Sequence, residues 1–411
     1  MRRLMPAPFG PARAVRTFVI VLAGFIVTWC LWSSDAGPGV YDLGPAGNGG
    51  SDTGSLAAVE AVCKAHGWRP FVSRPVHGSP GRPRRIYDLC MVNAELDWLE
   101  IRLNTTFHEV DYFVIVEGAK TFTGLDKPLT IRDNWGRFAP YHQKMLYHEL
   151  QYPANFNPQR AWDREDLQRN AMFLQVLGPG ATVASRDTRF DHSTPGGGTP
   201  VDALPGQHDV LVVADVDEIP RPETLRALRL CQFPRRLTLR SQFYYYSFQF
   251  RHQGPEWPHP QATFYDGPGN TVLPVNLRNG DGRRGGDATS MLGRVFQLIF
   301  SPFTALARYR DTADMPNAGW HCSSCYATMG ELMHKLESVS HVWMNHEFFR
   351  NRERAAHHVR LGLDLWDRKS EVYDRIANNT DVPSFLLEQP DRYRYLMNRD
   401  GESAGFADYP P

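Results

Sequence analysis

The stretch Leu211-Val-Val-Ala-Asp-Val-Asp-Glu-Ile-Pro220 constrains this chain more than any other. Val210 and four further small or branched apolar residues run into three carboxylates, Asp215, Asp217 and Glu218, and the run stops at Pro220. An apolar run of that length, closed by charge and then by proline, reads as a buried strand of a parallel sheet. Side chains alternate along a strand, so Asp215 and Asp217 are expected on one side of it. The C-terminal ends of such strands are where open α/β sheets bind ligands. Two carboxylates there suit a hard divalent cation that takes its other ligands from substrate phosphate. The plainer alternative is a polar turn closing a strand, since Asp is a common turn residue.

The first residues carry a different message. Residues 17–32 are apolar apart from two threonines and one glycine, and Arg2, Arg3, Arg13 and Arg16 precede them. A helix of that length reaches about 24 Å. That is short for a span but suits the thinner membranes of the early secretory pathway. Basic flanks stay in the cytosol, so residues 1–16 are expected as a cytosolic tail, 17–32 as a transmembrane signal anchor, and the rest in the lumen. A cleaved signal peptide is the competing reading. No A-x-A site follows Trp32, however, and bulky Trp29 and Trp32 stand where small residues are wanted. Residues 33–55 are rich in Gly, Ser, Pro and Asp and read as a flexible stem. Lys+Arg and Asp+Glu both number 45, which argues against a general nucleic-acid binder. Of six cysteines, Cys30 lies in the anchor; the five others, Cys63, Cys90, Cys231, Cys322 and Cys325, cannot all pair within one chain. Cys322-x-x-Cys325 has the spacing of a redox pair or half a zinc site, but no second such motif completes a zinc pattern, so a structural role is expected. Asn104 and Asn378 begin sequons that a luminal domain would expose to glycosylation.

Residues 55–66 read as a short helix with Leu56, Val59, Val62 and Cys63 on one face. Residues 56–85 form an N-terminal extension, Pro- and Arg-rich towards its end. Residues 86–92 then read as a first strand, Asn93 as the N-cap of a helix carrying Leu96, Leu99, Ile101 and Leu103, and residues 111–116 as a second strand. Strand, helix, strand in about thirty residues is a βαβ unit and implies a parallel sheet. After it, Glu117, Thr121 and nearby glycines fit a nucleotide's base and ribose, or else an ordinary loop; neither a P-loop nor G-x-G-x-x-G is present. Residues 162–174 are an amphipathic helix from which Arg169 is able to reach a diphosphate. Residues 178–206 read as a loop-rich insertion and 222–230 as a helix. Residues 237–250 read as extended, with Tyr244, Tyr245 and Tyr246 either stacking on sugars or packing in the core. Residues 253–286 read as surface loops, 347–368 as a long helix, and 393–411 as a loosely ordered tail. His321, between Trp320 and Cys322, is a metal or phosphate candidate, with Glu331, Lys335 and His341 behind it.

Four pieces together resemble glycosyltransferase family 17. They are Glu95-Leu-Asp-Trp-Leu-Glu-Ile-Arg-Leu103, Tyr112-Phe-Val-Ile-Val-Glu-Gly118 with Thr121-Phe-Thr-Gly124, Asp215-Val-Asp-Glu-Ile-Pro220, and Gly319-Trp-His-Cys-Ser-Ser-Cys325. The likeness covers roughly residues 86–366 and leaves out the stem and residues 178–206. It implies an α/β, GT-A-like fold over residues 86–392: a Rossmann-type, mostly parallel sheet flanked by helices, after the N-terminal signal anchor. It also implies a divalent metal, Mn²⁺, held by the D-x-D, UDP-GlcNAc as donor, and inversion at the anomeric carbon. The family's named activity adds the bisecting GlcNAc to a mannose of N-glycans, so an N-glycan or glycoprotein acceptor and a type II Golgi membrane protein are implied.

On that basis Asp215, Asp217 and His321 are the expected metal residues, and Glu117, Thr121, Arg169 and Asp215 the expected donor-site residues. An inverting transfer needs a base for the acceptor hydroxyl; Glu331 is the first choice and Glu218 the second. A family member with a different glycan acceptor and a non-catalytic luminal glycan-binding protein remain alternatives. A metal-dependent hydrolase is a third, although Ile219 stands where D-x-D-x-T phosphatases carry Thr.

Overall fold

The computed structural model describes residues 53–72, 82–178, 180–181, 183–184, 199–280, 311–338 and 345–409. The chain divides into Met1–Leu56 and Ala57–Pro411. The expected cytosolic tail, anchor and most of the stem lie outside the described residues. Among the described residues no helix is long and apolar enough to cross a membrane.

Four parallel strands carry the second unit: β1 (Ile86–Met91), β2 (Tyr112–Glu117), β3 (Met145–Glu149) and β4 (Val210–Asp215). Helix α1 (Thr53–Ala65) precedes them; α2 (Leu96–Thr106) joins β1 to β2, and α3 (Ala161–Leu174) lies between β3 and β4. The lateral order is β4-β1-β2-β3, all parallel. The chain thus builds outward from β1 on one side and returns to β1's other side with β4. The crevice at the C-terminal ends of β1 and β4 is therefore a topological switch point. In register, Met91 lies opposite Asp215 there.

Alternation along these strands feeds two cores. Ile86, Cys90, Phe113, Ile115, Val210 and Val212 pack with Trp98, Leu99, Ile101 and Leu103 of α2. Tyr87, Leu89, Val114, Val116, Leu211 and Val213 pack with Ala171, Met172 and Phe173 of α3. With helices on both faces the strands need no polar face, which is why they read as continuous apolar runs. Each fully buried Leu, Ile or Val contributes about 1.5–3 kcal/mol.

The sheet does not stay parallel. Beyond β4 come β5 (Glu218–Pro220), β6 (Arg236–Tyr245), β7 (Ser247–His252), β8 (Gln261–Phe264), β9 (Thr312–Ser323) and β10 (Tyr373–Arg375). β8 pairs antiparallel with both β4 and β6; β7 pairs antiparallel with β6 and β10, and β5 with β9; β6 and β9 run parallel. The ten-stranded sheet is therefore mixed, not mostly parallel. The cause is the chain after residue 235, where β7 turns straight back on β6 in a hairpin and β8 returns antiparallel between β4 and β6.

Other expectations are corrected in the same region. Residues 253–286 hold β8, a central strand, and α5 (Pro274–Arg278), as well as loops. Tyr244, Tyr245 and Tyr246 are buried in the core, so sugar stacking falls away. α4 (Pro222–Leu230) has the expected bounds, and α6 (Met329–Ser338) follows β9. In place of one helix over 347–368 there is α7 (Arg352–Leu361), which Gly362 ends at φ 68°, the left-handed conformation that glycine adopts without strain. The tail is not loose: Tyr395, Leu396 and Phe406 are buried, and the fully buried Arg399 donates to the carbonyls of Tyr246, Tyr326 and Ala404. Cys63 pairs with Cys231 and Cys322 with Cys325, leaving Cys90 as a buried free thiol. Asn378 is exposed, whereas Asn104 is half-buried in the last turns of α2.

One polar pair crosses the apolar interior. Asp88 points to the α2 side of β1, where Arg102 Nε and Nη2 donate to its two oxygens at 2.7 and 2.6 Å. Both side chains are buried, at 1% and 0% exposure. The remaining Nη1 donates to the carbonyls of Glu218 (2.6 Å) and Asp215 (3.2 Å). Removing one partner of a buried pair leaves an uncompensated charge and costs about 3–5 kcal/mol. Arg102→Met is expected to destabilise the protein by that amount in urea unfolding, and Asp88→Leu added to Arg102→Met to recover most of it. A loss below about 1 kcal/mol for the single variant would mean that the pair holds nothing.

Candidate active site

β4 ends at Asp215, Val216 and Asp217 form a turn, and β5 starts at Glu218. The expected single strand is thus broken within the carboxylate motif. Strand alternation is not what brings Asp215 and Asp217 together; the turn is, and Arg102 clamps its two ends from behind. Both residues line a cavity of about 650 Å³ at the switch point, along with Met91 and Asn93 from the end of β1.

The three carboxylates of the motif are in different states. Glu218 is fully buried. Arg278 donates to both its oxygens at 2.7 Å, and Trp257 Nε1 donates to Oε1 at 2.8 Å. Its Oε2 also accepts the Asp215 backbone N–H. Burial alone would raise its pKa, but Arg278 outweighs that and holds the carboxyl well below its usual range. Glu218 is therefore a structural carboxylate with no oxygen left to act as base. Asp215 contacts Arg278 Nη2 at 2.7 Å and Arg169 Nη1 at 3.0 Å, one on each oxygen. Arg169 and then Arg278 outweigh burial and lower its pKa. With an arginine nitrogen beside each oxygen, Asp215 is a poorer metal ligand than Asp217. The Arg169 contact is close but poorly aligned, so Arg169 Nη1 and Asp215 Oδ1 are buried without a hydrogen bond.

Asp217 differs. Among the described residues no arginine pairs with it, although its side chain, at 17% exposure, is less open than that of Asp215 at 33%. Its pKa is pushed up to about 8, by burial first and by the charges of Glu218 and Asp215 next, against the pull of Lys335. A carboxylate in that state is stabilised by a nearby cation. Behind it, His321 is stacked between Trp257 and Phe243 at centroid distances of 4.6 and 5.1 Å. Its Nδ1 lies 3.4 Å from the Asp217 carbonyl and 3.6 Å from Oδ1. Burial lowers its pKa to about 4, so the ring is neutral at pH 7. Cys322 N–H donates to the same Asp217 carbonyl at 3.3 Å. The strand carrying both residues is pressed against its neighbours at Gly319, where a Cβ would meet the Ile219 carbonyl at 2.5 Å.

Among the described residues no group of three or more His, Cys, Asp and Glu side chains forms a cage for a metal. The donor set suits a cation held by Asp217 and completed by substrate oxygens and water. Arg169 Nη1, buried beside the cavity and lacking a hydrogen bond, suits a diphosphate oxygen.

Two expected donor residues stand elsewhere. Glu117 is fully buried, and its carboxylate accepts from Ile131 N (3.0 Å), Arg132 N (3.3 Å) and Tyr147 Oη (2.8 Å). It ties the end of β2 to the start of the helix Thr130–Asp133. Thr121 Oγ1 accepts from Leu125 N and shapes the loop, whose Phe122 reaches the cavity instead. Glu331 does not reach the main cavity either. It accepts from Thr328 N and Oγ1 at 3.0 Å while its own N–H donates to Thr328 Oγ1, a capping box that starts α6. His341 lies outside the described residues. Sequence reasoning passed over Arg278 and Trp257, which sit among residues read as loops. Pro274, a first-turn helix proline, was the available signal for α5 and hence for Arg278.

The model of "Glycosyltransferase family 17" matches residues 53–187, 203–268 and 294–402. The chain is 26% identical over 331 residues to a "Beta-1,4-mannosyl-glycoprotein 4-beta-N-acetylglucosaminyltransferase" of Homo sapiens. The alignment takes in 77% of this chain and 55% of the human protein. The same-named protein of Rattus norvegicus is 26% identical over 330 residues, with the same coverage. The chain thus spans about half the length of the curated relatives it matches. With most of its length and its carboxylate turn covered by the family model, the chain belongs to glycosyltransferase family 17.

Proposed function

We propose that this chain is an inverting, metal-dependent glycosyltransferase that moves GlcNAc from UDP-GlcNAc to a mannose of an N-glycan. The observation that carries this reading is the division of labour in the carboxylate turn. Arginines neutralise Asp215 and Glu218, while Asp217 lines the cavity with a raised pKa and, among the described residues, no arginine partner. The relatives' names supply the transferred sugar and the acceptor mannose.

Asp217 would hold the cation, Mn²⁺, and a bound cation supplies charge relief to the departing diphosphate. At about 4 Å and an effective dielectric near 20, one such charge pair is worth about 4 kcal/mol. Arg169 would bind a diphosphate oxygen through Nη1. Arg278 keeps Asp215 and Glu218 neutralised, so that the turn does not repel the donor's phosphates. His321 fixes the Asp217 main chain and excludes water from behind it. Two disulfides in the folded domain support an oxidising compartment. That agrees with a Golgi lumen reached through the anchor at residues 17–32, which we propose as well.

Asp217→Asn removes the charge and keeps the shape. It is expected to lose Mn²⁺-dependent UDP-GlcNAc binding and about a hundredfold or more of transfer. Without metal its thermal midpoint at pH 7 should equal or exceed that of the wild type. The sign follows from the raised pKa: between the ordinary carboxylate value and about 8 the folded state holds a proton that the unfolded state releases, so this aspartate costs stability as pH rises. Mn²⁺-dependent binding and wild-type transfer by this variant would overturn the metal assignment. Donor binding without transfer to any glycan, by the wild type, would instead favour a glycan-binding protein.

His321→Ala should lower kcat at least tenfold, about 1.4 kcal/mol, with the fold retained by circular dichroism. Unchanged kinetics would confine His321 to packing.

A further inference from the structure

The main cavity opens beside a second one of about 280 Å³, lined by Tyr326, Gly330 and His334 among others. The two share Asn93, Glu95, Phe122 and Lys335. Glu95 is the one carboxylate lining both, among the described residues. It sits where β1 gives way to α2, so it faces the carboxylate turn across the switch-point crevice. Its charge is felt at Asp217, whose pKa it helps to raise.

Resting on the transferase reading, we propose that the smaller cavity takes the acceptor sugar and that Glu95 is the catalytic base. Donor and acceptor must meet where the two cavities join, with the acceptor hydroxyl close to a carboxylate. Among the described residues the other carboxylates at the two cavities are paired or line one cavity only. Glu218 is paired on both oxygens, Glu165 is ion-paired to Arg169 at 2.8 Å, and Glu331, which caps α6, lines the smaller cavity but not the one that holds Asp217. Asp166 lines the main cavity alone, on the α3 side. Glu95 is held in place, since its Oε2 accepts the Asn93 and Ala94 backbone N–H groups at 2.9 Å each. Phe122 and Tyr326 supply apolar surface for a sugar ring, and the volume suits one ring.

In the step itself the Glu95 carboxylate takes the proton of the acceptor hydroxyl. The hydroxyl oxygen forms a bond to the anomeric carbon of GlcNAc. The bond from that carbon to the UDP oxygen breaks, and its electron pair leaves with UDP.

The test compares Glu95→Gln with the wild type and with Asp166→Asn, using UDP-GlcNAc, Mn²⁺ and a mannose-bearing N-glycan. Gln keeps an acceptor for the two backbone N–H groups and loses basicity. Glu95→Gln is expected to lose at least about a hundredfold in kcat, with the dissociation constant for UDP-GlcNAc and the thermal midpoint unchanged. Glu95→Asp, which keeps the base on a shorter arm, should recover part of the rate. A kcat within threefold of wild type, or loss in Asp166→Asn alone, overturns the assignment. So does equal loss of donor binding and rate in Glu95→Gln, which would mark a residue that only shapes the turn. A wild type that binds UDP-GlcNAc but transfers to no glycan overturns the transferase reading and the base with it; transfer by the wild type and undiminished by Glu95→Gln overturns the base alone.

Discussion

Arg102 has no exposed surface, and its three side-chain nitrogens tie a single turn to β1. Two of them grip Asp88 on β1, and the third holds the carbonyls on either side of the carboxylate motif. A guanidinium in an apolar interior is tolerable only when paired and fully hydrogen-bonded. Satisfying it therefore forces β1, α2 and the turn after β4 into one geometry. The motif begins where a strand ends, and a strand end left alone frays. The buried pair ties the turn to the sheet behind it.

A second layer of arginines acts on the motif from the front. Three carboxylates within four residues repel one another, and burial makes that worse. Arg278 takes Glu218 and one oxygen of Asp215; Arg169 takes the other. What remains is a single carboxylate with a raised pKa, facing a cavity between two strand ends. A motif carboxylate left without an arginine among the described residues, at the wall of a cavity, is the arrangement expected of a site awaiting a cation.

The parallel half of the fold was legible because both faces of its strands are covered, which writes apolar runs at 112–116 and 210–214 and one at 86–92 broken only by Asp88. The helix at 222–230 announced itself through Pro222. The antiparallel half was not legible. Gln261-Ala-Thr-Phe264 is buried through pairing with β4 and β6, and its own composition is half polar between prolines and glycines. The ordered tail depends on Arg399 reaching carbonyls more than seventy residues away in sequence, which no local pattern encodes. Within the site, the carboxylates were visible but their states were not. Nothing near Glu218 in sequence says that Arg278 neutralises it. Glu331 is the exception: Thr328-Met-Gly-Glu331 is a capping-box pattern, and weighing it would have removed Glu331 as a base.

The central claim is that arginines reserve Asp217, and not Asp215, for the metal. A crystal structure of the chain with Mn²⁺ and UDP, with manganese located by its anomalous scattering, tests this most directly. The claim requires manganese in direct contact with the Asp217 carboxylate and the diphosphate, with Asp215 still paired to Arg169 and Arg278. Manganese bound by Asp215, or by Asp215 and Asp217 together after release of the two arginines, would contradict it.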